Sequence, residues 1–322
     1  MNLPPAMRLN AWQPLGWRNK QFSLVIRAAL HSIIHRLSRL SDTASLDAQV
    51  LLAHVVSKPR AWVLAHPEAS LSHEQQDALE IALARLEAGE PLPYVLGRWE
   101  FYGLDFSIGH PSSVLKGALE NKGPVLIPRP ETELLVDRAL TWLRAHPGRR
   151  AACDVGTGSG CIAVALAAHV YDLHVFATDL SRIALQAARE NAQKHGVAHR
   201  VQFIQANLLP PADICFDLIC ANLPYIPTKT LLSLPVARYE PSLALDGGAD
   251  GLALIGELLQ AAPSYLSPGG ILLLEIEASQ GQSVQSMAEA AFPTACVAAS
   301  HDLAGHDRLI EVQIPGEKVK PR

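Results

Sequence analysis

The sequence predicts an α/β protein: a doubly wound, mostly parallel sheet with a reversed last strand, preceded by a small all-helical domain. Strand-like and helix-like segments alternate from about residue 131 onward, which is typical of a parallel sheet covered by helices on both faces. The last two strand-like runs are joined by only a short polar loop, so no crossover helix connects them and they should pair antiparallel. Helical spacing dominates residues 22–90, and a length of 322 residues suits two domains of about 150 residues.

The N-terminal helical region divides into three predicted helices. Apolar residues at helical spacing indicate a first helix from about Phe22 and a second after Asp42. Ser72 followed by Gln75 suits a capping box, which starts a third helix ending near Ala88. These segments predict one small helical unit.

Two prolines, Pro91 and Pro93, end that pattern. The following residues, 94–108, are rich in aromatic and β-branched side chains and have turn points at Gly97 and Gly103, which predicts a short hairpin. The boundaries that we predict are an irregular lead-in at 1–21, a helical domain at 22–93, a hairpin and linker loop at 94–130, the α/β domain at 131–315 and a tail at 316–322.

The α/β domain is predicted to alternate between seven strands and five helices. The predicted strands are 151–155, 174–178, 201–205, 214–221, 271–276, 295–299 and 309–314. The predicted helices are 131–145, 161–169, 181–195, 252–266 and 280–291. Right-handed crossovers then place the carboxyl ends of the parallel strands at one edge of the sheet, where ligands bind.

Composition excludes several classes of protein. A net charge of −4 argues against a protein that holds nucleic acid mainly by bulk positive charge. Five cysteines without a C-x-x-C pair favour free thiols over a disulfide framework. The apolar runs end well short of 18 residues, and no apolar signal region opens the chain, so we expect a cytoplasmic protein without membrane association. His31 and His35 lie four apart without an evident third ligand, so no metal site is expected.

A glycine-rich turn follows the first strand of the α/β domain. Asp154-Val-Gly-Thr-Gly-Ser-Gly160 closes the strand and opens a helix, and glycines let the backbone turn sharply beside a ligand. Asp179 ends the next strand, where a carboxylate can accept hydrogen bonds from ribose hydroxyls. A dinucleotide site would need a glycine at Cys161, so the spacing disfavours a nicotinamide-dependent oxidoreductase. It resembles the S-adenosylmethionine site of class I methyltransferases; the other interpretation is a turn without a ligand.

A second motif, Asn222-Leu-Pro-Tyr225, follows the fourth strand. It resembles the (Asn/Asp/Ser)-Pro-Pro-(Tyr/Phe) motif of methyltransferases that act on planar nitrogens. Such NH₂ groups carry two donors, so the Asn222 side-chain oxygen can accept from one and a backbone carbonyl from the other. Tyr225 adds an aromatic wall, and Leu223 stands where the family has its first proline.

Further runs carry a more specific resemblance. They are Ser45–His54, Gly89–Gly97, Glu100–Gly103, Leu126–Glu133, Tyr239–Leu252 and Asp302–Arg308. Together they are similar to the release factor glutamine methyltransferase family over roughly residues 22–314. The resemblance implies an S-adenosylmethionine-dependent enzyme that methylates the side-chain amide nitrogen, N(5), of the glutamine in the Gly-Gly-Gln motif of peptide chain release factors. It also implies that the helical domain helps to hold that protein substrate, and we expect a monomer without a nucleic-acid partner.

The resemblance also assigns residues to roles. Those expected to contact the cofactor are Asp154, Gly156, Thr157, Gly158, Ser159, Gly160, Asp179, Asn207, Leu208 and Asn222. Those expected to hold the glutamine amide are Asn222, Leu223, Pro224 and Tyr225, with Asn222, Pro224 and Tyr225 as the catalytic set. Leu208 stands where the family often has an aromatic residue near the adenine.

Three other functions share part of these features. A glutamine methyltransferase acting on a ribosomal protein would share the catalytic half. An adenine-N6 nucleic-acid methyltransferase would share the Asn-x-Pro-Tyr chemistry, but it should show a basic face and a base-reading module. A non-catalytic module that holds a translation factor would not need Asn222 and Tyr225.

Overall fold

The computed structural model describes residues 24–109, 124–211 and 214–316. The predicted lead-in, residues 110–123 of the predicted hairpin and linker loop, and almost all of the tail lie outside the described residues. The chain divides after Gly89 into two compact units. Within the described ranges, no helix combines the length and the hydrophobicity that crossing a membrane requires.

The first unit is helical. Its helices are α1 (Ile26–Leu37), α2 (Ala44–Val55), α3 (Arg60–Ala65) and α4 (His73–Glu87). The core contains Ile33, Leu51 and Leu83 from three of these helices, and each is at most 1% exposed. Both bonds of the predicted capping box are present, because Ser72 Oγ accepts from Gln75 N–H and the Gln75 side chain accepts from Ser72 N–H.

Two predictions for this unit were wrong. The first helix begins at Ile26, because Leu24 and Val25 are extended: Val25 forms a bridge with Ser70, and the Leu24 carbonyl accepts from Leu71 N–H. The six-residue helix α3 was not predicted, because so short a segment after Pro59 carries little more than one turn of periodic pattern.

The second unit opens with a short helix and a hairpin. Helix α5 (Leu92–Leu96) precedes strands β1 (Arg98–Phe101) and β2 (Leu104–Ser107), which pair antiparallel. The hairpin was predicted to start at residue 94, but Tyr94 is helical. Pro93 lies in the first turn of α5, where a missing N–H costs no hydrogen bond, so it does not break the helix.

The α/β part is a seven-stranded sheet covered on both faces. Its elements are α6 (Thr132–Ala145), β3 (Ala151–Val155), α7 (Cys161–His169), β4 (His174–Asp179), α8 (Arg182–Lys194), β5 (Val201–Gln205), β6 (Phe216–Ala221), α9 (Thr228–Leu231), α10 (Ala253–Ala261), β7 (Leu266–Glu275), α11 (Gly281–Ala291), β8 (Cys296–His301) and β9 (Asp307–Gln313). Alternate residues of the central strands face opposite cores: Ala152 and Cys220 pack in one, Cys153 and Ile219 in the other. This confirms helices on both faces.

Sheet topology confirms the predicted reversed strand. The strand order is β5-β4-β3-β6-β7-β9-β8, and β9 is antiparallel to both of its neighbours. From β3 the chain adds β4 and β5 on one side, and from β6 it continues on the other side. Ligands bind at the point where the strand order reverses in this way in open α/β sheets. Both predicted motifs follow these two strands.

Several boundaries in this sheet differ from those predicted, and the largest difference is at the start of β7. The helix expected to reach residue 266 ends at Ala261, and β7 begins at Leu266 rather than at residue 271. Residues 267–270 read as a turn because they contain Pro268 and two glycines, yet the strand continues past them through an irregularity in its pairing with β6. Strand β6 begins at Phe216, two residues later than predicted.

Candidate active site

The glycine-rich turn after β3 rests on a buried carboxylate. Asp154 is fully buried, and its Oδ2 accepts from Thr157 Oγ1 at 2.6 Å and from Ala163 N–H at 3.1 Å. Its Oδ1 has no hydrogen-bond partner among the described residues. Burial raises the pKa of Asp154 to about 6, although these two bonds oppose the shift.

The backbone of this turn requires glycine for conformation and for space. Gly156, Gly158 and Gly160 all have positive φ, a region that is costly for other residues. A β-carbon at Gly160 would lie 2.9 Å from Ala188 Cβ, so this glycine also lets α8 pack closely. At Gly156 the corresponding neighbour is Leu223 Cδ2, at 3.2 Å, which brings the two motifs into contact.

Asp179 joins the end of β4 to the glycine turn. Its Oδ2 accepts from Gly158 N–H at 2.9 Å and its Oδ1 from Ser181 N–H at 2.8 Å. Burial raises the pKa of Asp179, and the backbone N–H donors oppose that shift. A carboxylate has about four acceptor positions, so this group is held in place with acceptor capacity left for a hydroxyl donor.

A cavity lies where these elements meet, and eight of the predicted residues line it. They are Gly156, Gly158, Asp179, Asn207, Leu208, Asn222, Leu223 and Pro224. Four other predicted cofactor residues do not line it, and all four are buried within the turn: Asp154, Thr157, Ser159 and Gly160. Leu208 has a φ of 62°, and its carbonyl accepts from Thr178 Oγ1 at 2.6 Å, which fixes the chain after β5 beside the cavity.

A second cavity adjoins the first at the Asn222–Tyr225 turn. Asn222, Leu223 and Pro224 line both cavities, whereas Tyr225 and Arg129 line only the second. Burial raises the pKa of Tyr225 to about 12, so the phenol stays protonated near neutral pH. The backbone carbonyl of Leu223 accepts no hydrogen bond from any described residue, so it is available to a donor.

The Asn222–Tyr225 turn is held by distant parts of the chain. A glycine-rich loop runs against it: a β-carbon at Gly251 would lie 2.3 Å from the Tyr225 carbonyl oxygen, and one at Gly247 would lie 2.7 Å from the Pro224 carbonyl oxygen. Gln280 Nε2 donates to the same Tyr225 carbonyl at 3.0 Å. The glycine-rich loop therefore packs directly against the turn and holds it, although Leu223 stands in place of proline.

Several site residues were not predicted from the sequence. Asn222 Nδ2 donates to Thr132 Oγ1 at 3.0 Å, and the buried Glu275 lies next to Thr132. Arg129 forms an ion pair with the buried Glu240 beside the second cavity. Arg129, Thr132 and Glu240 lie in runs that carry the family resemblance, but those runs gave them no individual role. Glu275 lies outside the runs, and its signal is that a carboxylate at the end of a buried apolar strand must have a local reason.

Comparison with known proteins supplies the family. A model of the PrmC N-terminal domain matches residues 28–97, and a model of a methyltransferase domain matches residues 149–312. The release factor glutamine methyltransferase of Moorella thermoacetica is 40% identical over 288 residues, which cover 88% of this chain and 97% of that protein. The chain belongs to the release factor glutamine methyltransferase family. The Vibrio cholerae member is 38% identical over 301 residues, covering 92% of this chain and 99% of that protein.

Family membership confirms several predictions. The chain is an α/β methyltransferase with a helical N-terminal region, and its cofactor is S-adenosylmethionine. The individual site residues and the domain boundaries stay predictions.

Proposed function

We propose that this methyltransferase methylates the side-chain amide nitrogen of the glutamine in the Gly-Gly-Gln motif of peptide chain release factors. One observation carries the proposal: two cavities meet at Asn222–Pro224, one bordered by the glycine turn and the other by Tyr225. A methyl donor in the first cavity and a planar amide in the second would face each other across that turn. The names of the curated relatives support the substrate.

The first cavity fits S-adenosylmethionine in its chemistry. Asp179 has acceptor capacity for a ribose hydroxyl, and the turn at Gly156 leaves space that a β-carbon would fill. Asp154, with one buried unpartnered oxygen, provides negative charge below the turn. When bound, the cofactor supplies an electrophilic methyl group.

The residues of the second motif would then position the amide. Asn222 Oδ1 and the Leu223 carbonyl accept no hydrogen bond from any described residue, so they can take one amide hydrogen each. Tyr225 would border the planar group. No covalent enzyme intermediate is required, and positioning of this kind can supply up to about 7–11 kcal/mol of a barrier.

The N-terminal unit supports a protein substrate. The PrmC N-terminal domain match covers most of its helices, and we propose that this unit binds the body of the release factor. A monomeric state, a cytoplasmic location and the absence of a nucleic-acid partner remain expectations of the proposal.

The decisive experiment measures methyl transfer from labelled S-adenosylmethionine by the full chain. The substrates are a release factor, the same factor with the Gly-Gly-Gln glutamine changed to alanine, a ribosomal protein preparation and adenine-containing nucleic acid. We expect incorporation only into the unmodified factor, with the added methyl mapped to that glutamine by mass spectrometry. Equal labelling of the alanine variant, or preferential labelling of either other substrate, would contradict the proposal.

Two asparagine variants separate the roles of the two cavities. We expect Asn222→Ala to lower kcat by about 10²–10³, as for loss of a preorganised polar group at a reacting centre, with cofactor affinity nearly intact. Asn207→Ala serves as the matched control, because Asn207 lines only the first cavity. It should raise the KM for S-adenosylmethionine and leave kcat near that of the unmodified enzyme.

A further inference from the structure

Three side chains from three separate elements form a short polar chain beneath the two cavities. Asn222 follows β6, Thr132 begins α6, and Glu275 ends β7. Thr132 is 2% exposed and Glu275 is 3% exposed. The Asn222 amide nitrogen lies 3.0 Å from Thr132 Oγ1. Burial raises the pKa of Glu275, and the neighbouring Thr132 hydroxyl opposes that rise.

The number of hydrogens in this chain determines its direction. A threonine hydroxyl has one hydrogen to donate, and an ionised carboxylate can only accept. Thr132 therefore donates to Glu275 and can only accept from Asn222. The atom of Asn222 that faces Thr132 must then be Nδ2, which directs Oδ1 away from Thr132. No other hydrogen bond of the Asn222 side chain occurs among the described residues.

We propose that Thr132 and Glu275 are positioning residues that fix the amide orientation of Asn222, so that its oxygen faces the substrate amide. This rests on the proposed function, because the orientation matters only if Asn222 accepts from an NH₂ group. If the amide were reversed, two NH₂ groups would face each other and the glutamine would lose one acceptor. Such a loss should lower kcat about tenfold or more, because a buried donor is left without a partner.

The direction of the hydrogen bonds in this chain depends on whether Glu275 is charged, and the groups around Glu275 influence that charge. Arg129 and Glu131 face it from the segment before α6, Arg308 from β9, and Tyr225 from the second motif. Burial raises the pKa of Glu275 to about 7, and its Oε2 has no hydrogen-bond partner among the described residues. When protonated, Glu275 can donate to Thr132, which can then donate to Asn222 and favour the reversed amide.

The test compares Thr132→Val, which removes the hydroxyl at nearly constant shape, with Thr132→Ser, which keeps it. We expect Thr132→Val to lower kcat on the release factor about tenfold or more, with an unchanged Kd for S-adenosylmethionine. Thr132→Ser should stay within about threefold of the unmodified enzyme. Unchanged kcat in Thr132→Val would overturn the proposal, and so would an equal loss in Thr132→Ser.

A pH profile provides a measurement that loss of packing would not change. The kcat of the unmodified enzyme should fall as the pH is lowered through about 7, and Glu275→Gln should abolish that fall because the amide does not titrate. If Glu275→Gln had the same kcat as the unmodified enzyme and the same fall in kcat at low pH, the proposal would be overturned. This holds even if Thr132→Val fails to fold. An unmodified enzyme inactive on the release factor would instead contradict the proposed function.

Discussion

The two turns at the centre of the sheet are stabilised in different ways. The glycine turn after β3 is held by the segment that directly follows it in the chain. Asp154 bonds to Thr157 and Ala163, three and nine residues away, and Asp179 accepts from Gly158 N–H, 21 residues away. The Asn222–Tyr225 turn after β6 is held from afar. Its partners are Thr132, Gly251 and Gln280, which lie on three other parts of the chain.

This difference suits the two tasks that we propose for the turns. A turn held by contacts within the continuous segment from β3 to α8 can form a cofactor site wherever that segment folds. A turn held by remote elements depends on assembly of the whole sheet, so disturbance of a distant loop should reach the proposed reacting position. Variants of distant residues can therefore break one turn while sparing the other.

The largest effect should come from Gly251→Ala. Gly251 has a φ of 81°, and a β-carbon there would lie 2.3 Å from the Tyr225 carbonyl oxygen, so backbone must move. We expect unfolding to become easier by about 2–4 kcal/mol, the sum of overpacking and positive-φ strain. The kcat on the release factor should fall at least tenfold, while the Kd for S-adenosylmethionine, measured by calorimetry, changes much less.

The matched control for that variant is Gly305→Ala. Gly305 has nearly the same φ, 85°, but a β-carbon there meets nothing within 4 Å. It should cost only the conformational strain, about 1 kcal/mol, and leave kcat unchanged. If both variants lose equal activity, the close approach of the loop does not hold the turn.

The contrast between the turns also explains what could be predicted from the sequence. The glycine turn and Asp179 are a contiguous motif and a strand end, so their positions follow from local pattern. Thr132 contacts Asn222, and Glu275 lies next to Thr132, only because α6 and β7 fold beside β6, and no local pattern encodes that proximity. In the same way, β7 starts five residues before its prediction, because pairing with β6 overrides the turn propensity of Pro268 and the two glycines that follow.

A second prediction compares the buried carboxylates below the two turns. Burial raises the pKa of Glu275 from 4.5 to about 7, so between those values the folded state holds a proton that the unfolded chain releases. The unfolding free energy of the unmodified protein should therefore rise as the pH falls from about 8 toward 4.5, by about 1–3 kcal/mol. Glu275→Gln should be more stable than the unmodified protein at pH 8, with an advantage that declines over that window.

Asp154→Asn gives the matched comparison for the glycine turn. Burial raises the pKa of Asp154 from 3.8 to about 6. The pH range in which its protonation changes the unfolding free energy should therefore lie about one pH unit lower than that of Glu275. Chemical denaturation at several pH values measures both. If the unfolding free energy of each variant differed from that of the unmodified protein by the same amount at every pH, neither carboxylate would change its protonation on folding in that range.

The smallest effect should come from Gly156→Ala, which tests the glycine turn itself. Gly156 has a φ of 72°, and a β-carbon would meet Leu223 Cδ2 at 3.2 Å, the end of a side chain that can move. Positive-φ strain of about 1 kcal/mol should shift the turn and weaken S-adenosylmethionine binding about three- to tenfold. Gly196→Ala, with a φ of 71° and nothing within 4 Å, should lose similar stability but keep the cofactor Kd. Leu223 lies between the two turns, so strain at Gly156 could reach the second turn. If kcat in Gly156→Ala falls by a larger factor than the affinity for S-adenosylmethionine, strain passes from one turn to the other and the two turns act as one unit.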